Sequence, residues 1–375
     1  MKPKLQIAGD GKGERILIVQ TSFLGDVVLT TPLIGEIRRR FPAARLVVLC
    51  TPTASGLLQN NPDLDGIITD DKKGAERGLR GLWRMVEKVR REGFTLAFSP
   101  HKSLRSALLL SLARIPRRVG FRQSAGWFLF PYRAHRDAGR HDVERNLCVL
   151  QPLGIEPEQC DRRLHLEVVP AASAAVKRLF REIGIERGKD RLIFGLNPGS
   201  VWPTKRWSAE GYATLMVQLK KKYRCEIVLF GGEEDRAIVN RVQDLAGHVG
   251  RSLAGRTPLT ELAGAIECCD VFITNDSMPM HVAVAREVPV VAIFCATTTQ
   301  LGFYPYSSKA IVVEKELACR PCGSHGGLRC PLGTEACIRL VPWTEVMRAV
   351  ERFVDSPPHQ GQGDPLSTQP EIVSL

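Results

Sequence analysis

Residues 14–41, ERILIVQTSFLGDVVLTTPLIGEIRRRF, carry the reading that decides the fold of this chain. The run Ile16–Val19 is apolar on consecutive positions, as in a strand covered on both faces. A short Thr-Ser-Phe-Leu-Gly-Asp link follows. The apolar segment after it ends in Arg38, Arg39 and Arg40, cations that suit the end of a helix. A strand that turns directly into a helix is the opening of a β-α-β unit. Asp26 stands at that turn beside Gly25, where a carboxylate either caps the helix or faces a ligand and takes a proton.

The same alternation continues outward. Strands are predicted at RILIVQ, ARLVVLC, GIITD and LAFSP in the first half, with the helix GLWRMVEKVRREG between the last two. In the second half they are predicted at RLIFGLN, CEIVLFGG, VFITND and VVAIFCA, with helices beginning near Ser208, Glu233, Pro258 and Pro279. The pattern predicts an α/β protein of two doubly wound, Rossmann-like domains facing across a cleft. The expected domains are 1–175 and 176–355, joined through AASAAVKRLFREIGI. The tail 356–375, rich in Pro, Gly and Gln, is expected to be disordered. Ligands of open α/β sheets bind at the carboxyl ends of the strands, so the loops there are where chemistry is expected.

Composition narrows the function classes. The chain has 375 residues, 44% hydrophobic and 25% charged, ordinary values for a globular protein. No apolar run reaches the roughly 18–20 residues of a membrane span. The N-terminal MKPKLQIAGDGKGER lacks an apolar signal core, which predicts a cytoplasmic location. A net charge of +12 favours polyanionic partners: nucleic acid, an anionic membrane face or a phosphorylated substrate.

Three strand-end loops in the second half carry candidate ligand groups. In NPGSVWPTKRW, Ser200 and Thr204 offer hydroxyls and Lys205 a compact cation for phosphate. In FGGEEDR, Glu233 or Glu234 suits ribose hydroxyls, although both also suit the first turn of a helix. In TNDSMPMHVAVA, a strand runs into a helix whose free N–H groups suit a diphosphate. There Asp276 can grip a sugar hydroxyl, Ser277 can add a hydroxyl bond, and His281 follows one turn later. The competing readings are a helix N-cap for Asp276 or Ser277 and a buried core histidine for His281. No G-x-G-x-x-G fingerprint supports a nicotinamide cofactor. Together the loops point to a nucleotide-sugar site.

The chain resembles the ADP-heptose:lipopolysaccharide heptosyltransferases of glycosyltransferase family nine, most closely the heptosyltransferase II branch. The resemblance runs from about Arg15 to Val350 through ILIVQTSFLGDVVLTTPLIGEIRRRFP, SLRSALLLSLARIPRRVGFR, HDVERN, NPGSVWPTKRW, LFGGEEDR, LAGRTPLTEL and TNDSMPMHVAVA. It implies a GT-B fold, with the acceptor on the N-terminal domain and ADP-heptose on the C-terminal one. It also implies an inverting transfer in which Asp26 is the general base. Carried over by position, Ser200, Lys205, Glu233, Glu234, Thr257, Asp276, Ser277 and His281 bind the donor. Lys102, Arg105, Arg118, Arg122 and Arg145 are implied to bind the acceptor, a lipid A–Kdo–heptose at the inner leaflet of the cytoplasmic membrane. The family usually has Gly where this chain has Met278, after Asp-Ser. The implied location is cytoplasmic and peripheral to the inner membrane.

The chain has 11 cysteines. Cys50, Cys148, Cys160, Cys225, Cys268, Cys269 and Cys295 are scattered and read as core filler. Cys319, Cys322, Cys330 and Cys337 form C-x₂-C-x₇-C-x₆-C around His325, a spacing compatible with a structural zinc or with free thiols. No cofactor is expected for the chemistry. Rival readings are heptosyltransferase I or III, another donor sugar, a sugar-nucleotide binder without turnover, and a basic zinc-bearing nucleic-acid-binding protein. The last is disfavoured because only 6% of residues are aromatic, so no nucleic-acid partner is expected.

Overall fold

The computed structural model describes residues 5–7, 9–185, 188, 190–355 and 368–375. The chain divides into two compact units, residues 1–167 and 168–375.

The first unit is built on β1 (Arg15–Val19), β2 (Arg45–Cys50), β3 (Gly66–Thr69), β4 (Leu96–Ser99), β5 (Arg117–Phe121) and β6 (Tyr132–Ala134). Its helices are α1 (Leu24–Val28), α2 (Thr31–Arg40), α3 (Pro52–Leu58), α4 (Gly78–Arg91), α5 (Leu104–Leu112) and α6 (Asp142–Leu147). All strand pairings are parallel, in the order β3-β2-β1-β4-β5-β6. Ile16, Leu17, Ile18 and Val19 are fully buried, so β1 is covered on both faces as its unbroken apolar run predicts. The strand order reverses between β1 and β4. The loops after these two strands therefore diverge from neighbouring positions and leave a crevice at their carboxyl ends.

The second unit begins with α7 (Pro170–Glu182) and β7 (Leu192–Asn197), followed by α8 (Ala209–Lys222), β8 (Cys225–Leu229), α9 (Arg236–Leu245) and β9 (Arg251–Ser252). Then come α10 (Leu259–Glu267), β10 (Val271–Asn275), α11 (Met278–Ala285), β11 (Val290–Phe294), β12 (Ala310–Glu314), α12 (Ala336–Arg339), α13 (Trp343–Val354) and β13 (Glu371–Ser374). This sheet is also parallel, ordered β13-β12-β11-β10-β7-β8-β9. Its reversal lies between β7 and β10. The core beneath is closed by Trp207, Tyr212, Met216 and Leu219 from the α8 side and by Val346 and Val350 of α13.

Three details differ from the sequence expectation. The division falls between Glu167 and Val168 rather than near 175, because α7 packs on α10 within the second unit. Strands β5, β6, β9, β12 and β13 are additional. β5 opens on two arginines, and only a short 3₁₀ turn, Thr299–Leu301, precedes β12, so strand–helix alternation hides both. The tail expected to be disordered over 356–375 ends in β13, which pairs with β12 from Ile311↔Glu371 to Glu314↔Ser374. Residues 356–367 lie outside the described residues.

Val373 and Leu375 pack against the core of the second unit. Removing residues 368–375 exposes the β12 edge and those contacts, at a cost of about 1–3 kcal/mol. A fall of roughly 2–10 °C in the melting temperature is expected by calorimetry, with the circular dichroism of the rest unchanged.

Candidate active site

The reversal between β7 and β10 brings two predicted loops together in the second unit. The last residue of β10, Asn275, is fully buried and serves both. Its Nδ2 donates to the carbonyls of Pro198 at 2.9 Å and Gly199 at 3.3 Å. Its Oδ1 accepts from the Trp207 N–H at 2.9 Å, and the Tyr212 hydroxyl lies 3.1 Å away. Asn197, at the end of β7, donates to Gly199 O at 3.1 Å and to Ser277 Oγ at 3.2 Å. A buried amide with each lone pair and proton used fixes a loop more firmly than packing alone, because an unpaired partner there costs about 1–3 kcal/mol.

This frame carries the charged groups. Lys205 Nζ lies 2.6 Å from Asp276 Oδ2, with both side chains largely buried. Thr297 Oγ1, just beyond β11, donates to the same oxygen at 2.6 Å. Ser277 stands at the N-cap of α11, but its hydroxyl turns back toward Asn197, Thr274 and the Asn275 carbonyl. The first turn of α11 therefore has no side-chain cap; Pro279 has no N–H and the Met280 N–H meets the Ser277 carbonyl at 3.1 Å, so the turn offers an anion the Met278 N–H, next in sequence to the Asp276–Lys205 pair. Met278 is half-buried at the first position of this helix and His281 is buried one turn on. Ser200 is also buried, and its carbonyl accepts from Arg206 Nε at 2.8 Å and Nη2 at 2.6 Å.

In the FGGEEDR loop, Glu233 and Glu234 are exposed, and Glu233 pairs with Arg236 at 2.7 Å. The half-buried carboxylate is Asp235, which accepts from the Gly232 N–H at 3.1 Å. A Cβ on Gly199 would sit 2.3 Å from the Asp235 carboxyl carbon, so only glycine lets the β7 and β8 loops touch. Burial raises the Asp235 pKa above the ordinary range. Thr257 is half-buried beyond β9, its hydroxyl 3.5 Å from the Leu253 carbonyl.

In the first unit, Asp26 Oδ2 accepts from the Phe23 N–H at 3.1 Å, so one oxygen does cap α1. Asp26 nevertheless faces titratable groups that the sequence did not single out. Asp142, at the start of α6, pairs with Arg136 and accepts from Asn146 Nδ2 at 3.4 Å. Burial, and next among the raising influences the negative charge of Asp26, push the Asp142 carboxyl up to about 6. His101, in the loop after β4, is held below the ordinary histidine pKa by burial and then by Lys72, while Asp26 acts in the opposite sense. Its Nδ1 is buried without a hydrogen-bond partner. Lys72 donates to the Thr21 carbonyl and lies 3.4 Å from the Thr21 hydroxyl. The loops after β1 and β4 thus meet where the strand order reverses, as open-sheet topology requires.

The basic residues expected to hold the acceptor divide into two groups. Lys102 and Arg122 are exposed. Arg105 pairs with buried Asp70 at 3.0 Å and donates to the Glu76 carbonyl at 2.9 Å. Arg118 donates to the carbonyls of Leu129, at 3.1 and 3.0 Å, and Ile115, which ties β5 to the following turn. Arg145 is buried, reaches the carbonyls of Asp137 and Ala138, and lies 3.7 Å from Asp142. A cavity of about 850 Å³ opens elsewhere in this unit, lined by Glu14, Arg39, Arg40, Phe41 and Arg117. It lies by the amino ends of β1 and β5, the wrong ends for the switch-point crevice.

Of the four clustered cysteines, Cys319 is exposed, Cys322 and Cys330 are half-buried and Cys337 is buried. Burial pushes the Cys322 and Cys337 thiols up, and the neighbouring cysteines act in the same direction. Among the described residues, however, no group of three or more His, Cys, Asp or Glu side chains is arranged to hold a metal ion. The segment braces the Lys205 loop. Gly327 N donates to Thr204 Oγ1 at 2.8 Å, Thr204 N to Gly327 O at 3.2 Å, and Cys322 N to Ala296 O at 2.8 Å. Buried Arg320 pairs with Glu314 at 2.8 Å and donates to the carbonyls of Phe294, Cys295 and Thr297 at the end of β11.

The sequence model of glycosyltransferase family 9 (heptosyltransferase) matches residues 82–328. A lipopolysaccharide heptosyltransferase 3 from Escherichia coli is 28% identical over 357 residues, covering 89% of this chain and 97% of the relative. A lipooligosaccharide heptosyltransferase 2 from Campylobacter jejuni is 24% identical over 345 residues, covering 90% and 99%. Among solved structures, a family 9 glycosyl transferase from Veillonella parvula superposes with a TM-score of 0.83 at 26% identity, covering 92% of this chain and 98% of the other. The E. coli ADP-heptose LPS heptosyltransferase II gives 0.73 at 24% identity, covering 91% and 98%.

Two measurements check this geometry. Asn275→Ala strands the Trp207 N–H and the Pro198 carbonyl, and is expected to lower unfolding stability in urea by about 1–3 kcal/mol. Carboxyl NMR is expected to find Asp142 titrating near 6. Because the Asp26 charge contributes to raising it, Asp26→Asn lowers that midpoint; an unchanged midpoint means the two carboxylates do not face each other.

Proposed function

The chain belongs to glycosyltransferase family 9 (heptosyltransferase), and we propose that it moves L-glycero-D-manno-heptose from ADP-heptose to a heptose of the lipopolysaccharide inner core. The observation that carries the donor half is the buried Lys205–Asp276 pair beside the uncapped first turn of α11. An incoming diphosphate competes with Asp276 for the Lys205 ammonium and takes up the Met278 N–H at the start of α11. Asp276, so released, accepts hydrogen bonds from the sugar. Ser200, Ser277 and His281 line this region, while Thr257 and the glutamate pair Glu233–Glu234 border the nucleoside end.

In the transfer, an acceptor hydroxyl oxygen bonds to the anomeric carbon as the bond from that carbon to the diphosphate oxygen breaks. The electron pair leaves with ADP, and the hydroxyl proton passes to Asp26, whose second carboxylate oxygen is not needed for the helix cap. Configuration at the anomeric carbon inverts. Lys205 offsets the charge that grows on the leaving diphosphate, a stabilisation realised most fully in the transition state. This chemistry asks for no cofactor. His101 and Lys72 set the electrostatic surroundings of the base, and Lys102, Arg105, Arg122 and Arg145 are the acceptor-side cations. The acceptor itself is a lipid A–Kdo–heptose at a membrane face.

A second reading has a specific basis: relatives named heptosyltransferase 2 and heptosyltransferase 3 both match at low identity, 24% and 28%. Acceptors of defined core length distinguish transfer to the first heptose, as a type II enzyme performs, from transfer at other positions.

ADP release from ADP-heptose is expected with the wild-type chain and a one-heptose acceptor. Asp26→Asn should lower kcat by about 10²–10⁴-fold in a folded protein, and Lys205→Ala by about 10²-fold or more. Wild-type turnover that survives Asp26→Asn would leave Asp26 a helix cap and put the base elsewhere.

A further inference from the structure

The α4 helix has an ordinary buried stripe of Leu82, Met85, Val86 and Val89. Its outer face is not ordinary. Leu79 is 86% exposed and Trp83, one turn on, is 52% exposed, flanked by exposed Arg80, Arg84, Lys88 and Arg91. Core packing does not account for these two apolar side chains, since the stripe that meets the core is complete without them.

Adjacent elements continue the pattern. α5 packs beside α4 and exposes Leu104 and Leu112 on one side, with Leu108 half-buried between them. The two helices are linked at both ends. Arg105 Nη1 is 3.5 Å from the Gly78 carbonyl near the start of each. Arg90 Nη2 donates to the Leu112 carbonyl at 2.7 Å near their ends, with its guanidinium 5.9 Å from the Trp83 ring. The turn 127–129 is pressed onto α5. A Cβ on Gly126 would lie 2.4 Å from the Ala107 Cβ, so only glycine permits that approach. The turn exposes Trp127 and Phe128, the latter at 60%, and Arg133 stacks 4.9 Å over Trp127.

The charge of this region is extreme. Between Lys72 and Arg133 there are fifteen Lys and Arg and three Glu, a surplus that equals the whole formal net charge of +12. The rest of the chain is neutral in sum. Exposed Trp, Phe and Leu tips among arginines and lysines are the chemistry of a surface that enters a lipid interface, with apolar tips below the headgroups and cations among them. Each cation near an anionic bilayer contributes about 1 kcal/mol. A second copy of this chain is the wrong occupant, because two faces of the same strong positive charge repel.

We propose that the face formed by α4, α5 and the turn 127–129 docks onto an anionic lipid bilayer, with Leu79, Trp83, Leu104, Leu112, Trp127 and Phe128 as its inserting side chains. The inference is independent of the donor chemistry, since vesicle binding is read without sugar transfer.

The test uses the full chain with vesicles of phosphatidylcholine alone and of phosphatidylcholine containing phosphatidylglycerol, by flotation and by tryptophan emission. Binding to the anionic vesicles at least about tenfold tighter than to the neutral ones, with a blue shift, is expected. The double variant L79S/W83S and Phe128→Ser should each weaken binding about tenfold or more, whereas Leu245→Ser, an exposed leucine of the second unit, should not. All these positions are exposed, so melting temperatures should hold. No binding, equal binding to neutral vesicles, or unchanged binding by L79S/W83S overturns the proposal. So does a concentration-dependent dimer that the same variants dissociate, or tight binding of a single-stranded RNA lost in those variants without any vesicle binding.

Discussion

The side-chain amide of Asn275 joins two strands whose loops would otherwise be independent. It accepts from the Trp207 N–H and donates to the carbonyls of Pro198 and Gly199. The arrangement of the charged groups at this end of the second unit follows from that tie. It fixes the β7 loop against β10, and so sets the distance from Lys205 to Asp276. No aspartate could replace it, since a carboxylate lacks the two protons that the carbonyls need. The Cys-rich segment adds a brace from the other side, through Thr204 and Gly327 and through the Arg320 fan of carbonyl contacts. Its cysteines draw attention in the sequence, yet the arginine between two of them carries most of the mechanical work.

The first unit solves a different problem, which is to keep a carboxylate at the end of β1 among other charges. Asp26, Asp142, Arg136, Lys72 and His101 share one neighbourhood, and their influences on one another have opposite signs. The negative charge of Asp26 raises Asp142, so its removal is felt at a second residue. A group that only capped a helix on a solvated surface would not be coupled in this way. Cap and base are compatible roles, because the cap engages one oxygen.

Charge is also segregated along the chain. The basic surplus lies between Lys72 and Arg133, but not all of it is available to a ligand. Arg118 already donates to carbonyls and Arg105 is paired with Asp70, so a ligand has to compete with these partners for either. Arg80, Arg84, Lys88 and Arg91 point outward from α4 with Leu79 and Trp83 between them. Sequence counts cations alike; exposure separates those that hold the fold from those that can meet a partner.

The sequence by itself determined eight of the strands, those that alternate with amphipathic segments. Unbroken apolar runs such as Ile16–Val19 could only be strands covered on both sides, and their alternation with amphipathic segments implied parallel sheets. It also named the loops that matter, because Asn-Pro-Gly-Ser, Gly-Gly-Glu-Glu and Asn-Asp-Ser each follow a strand. What the tertiary structure decided was which of those loops meet. Strand order is a non-local property: the reversals at β1/β4 and β7/β10 bring His101 toward Asp26 and Lys205 onto Asp276, and no spacing rule states that. The same holds for Asp235, hidden behind two more conspicuous glutamates, and for β13, a strand in a segment whose composition suggested none. A short strand with weak propensity forms when a neighbouring edge offers it hydrogen bonds and its Val and Leu find a core. That edge exists only once the sheet is assembled.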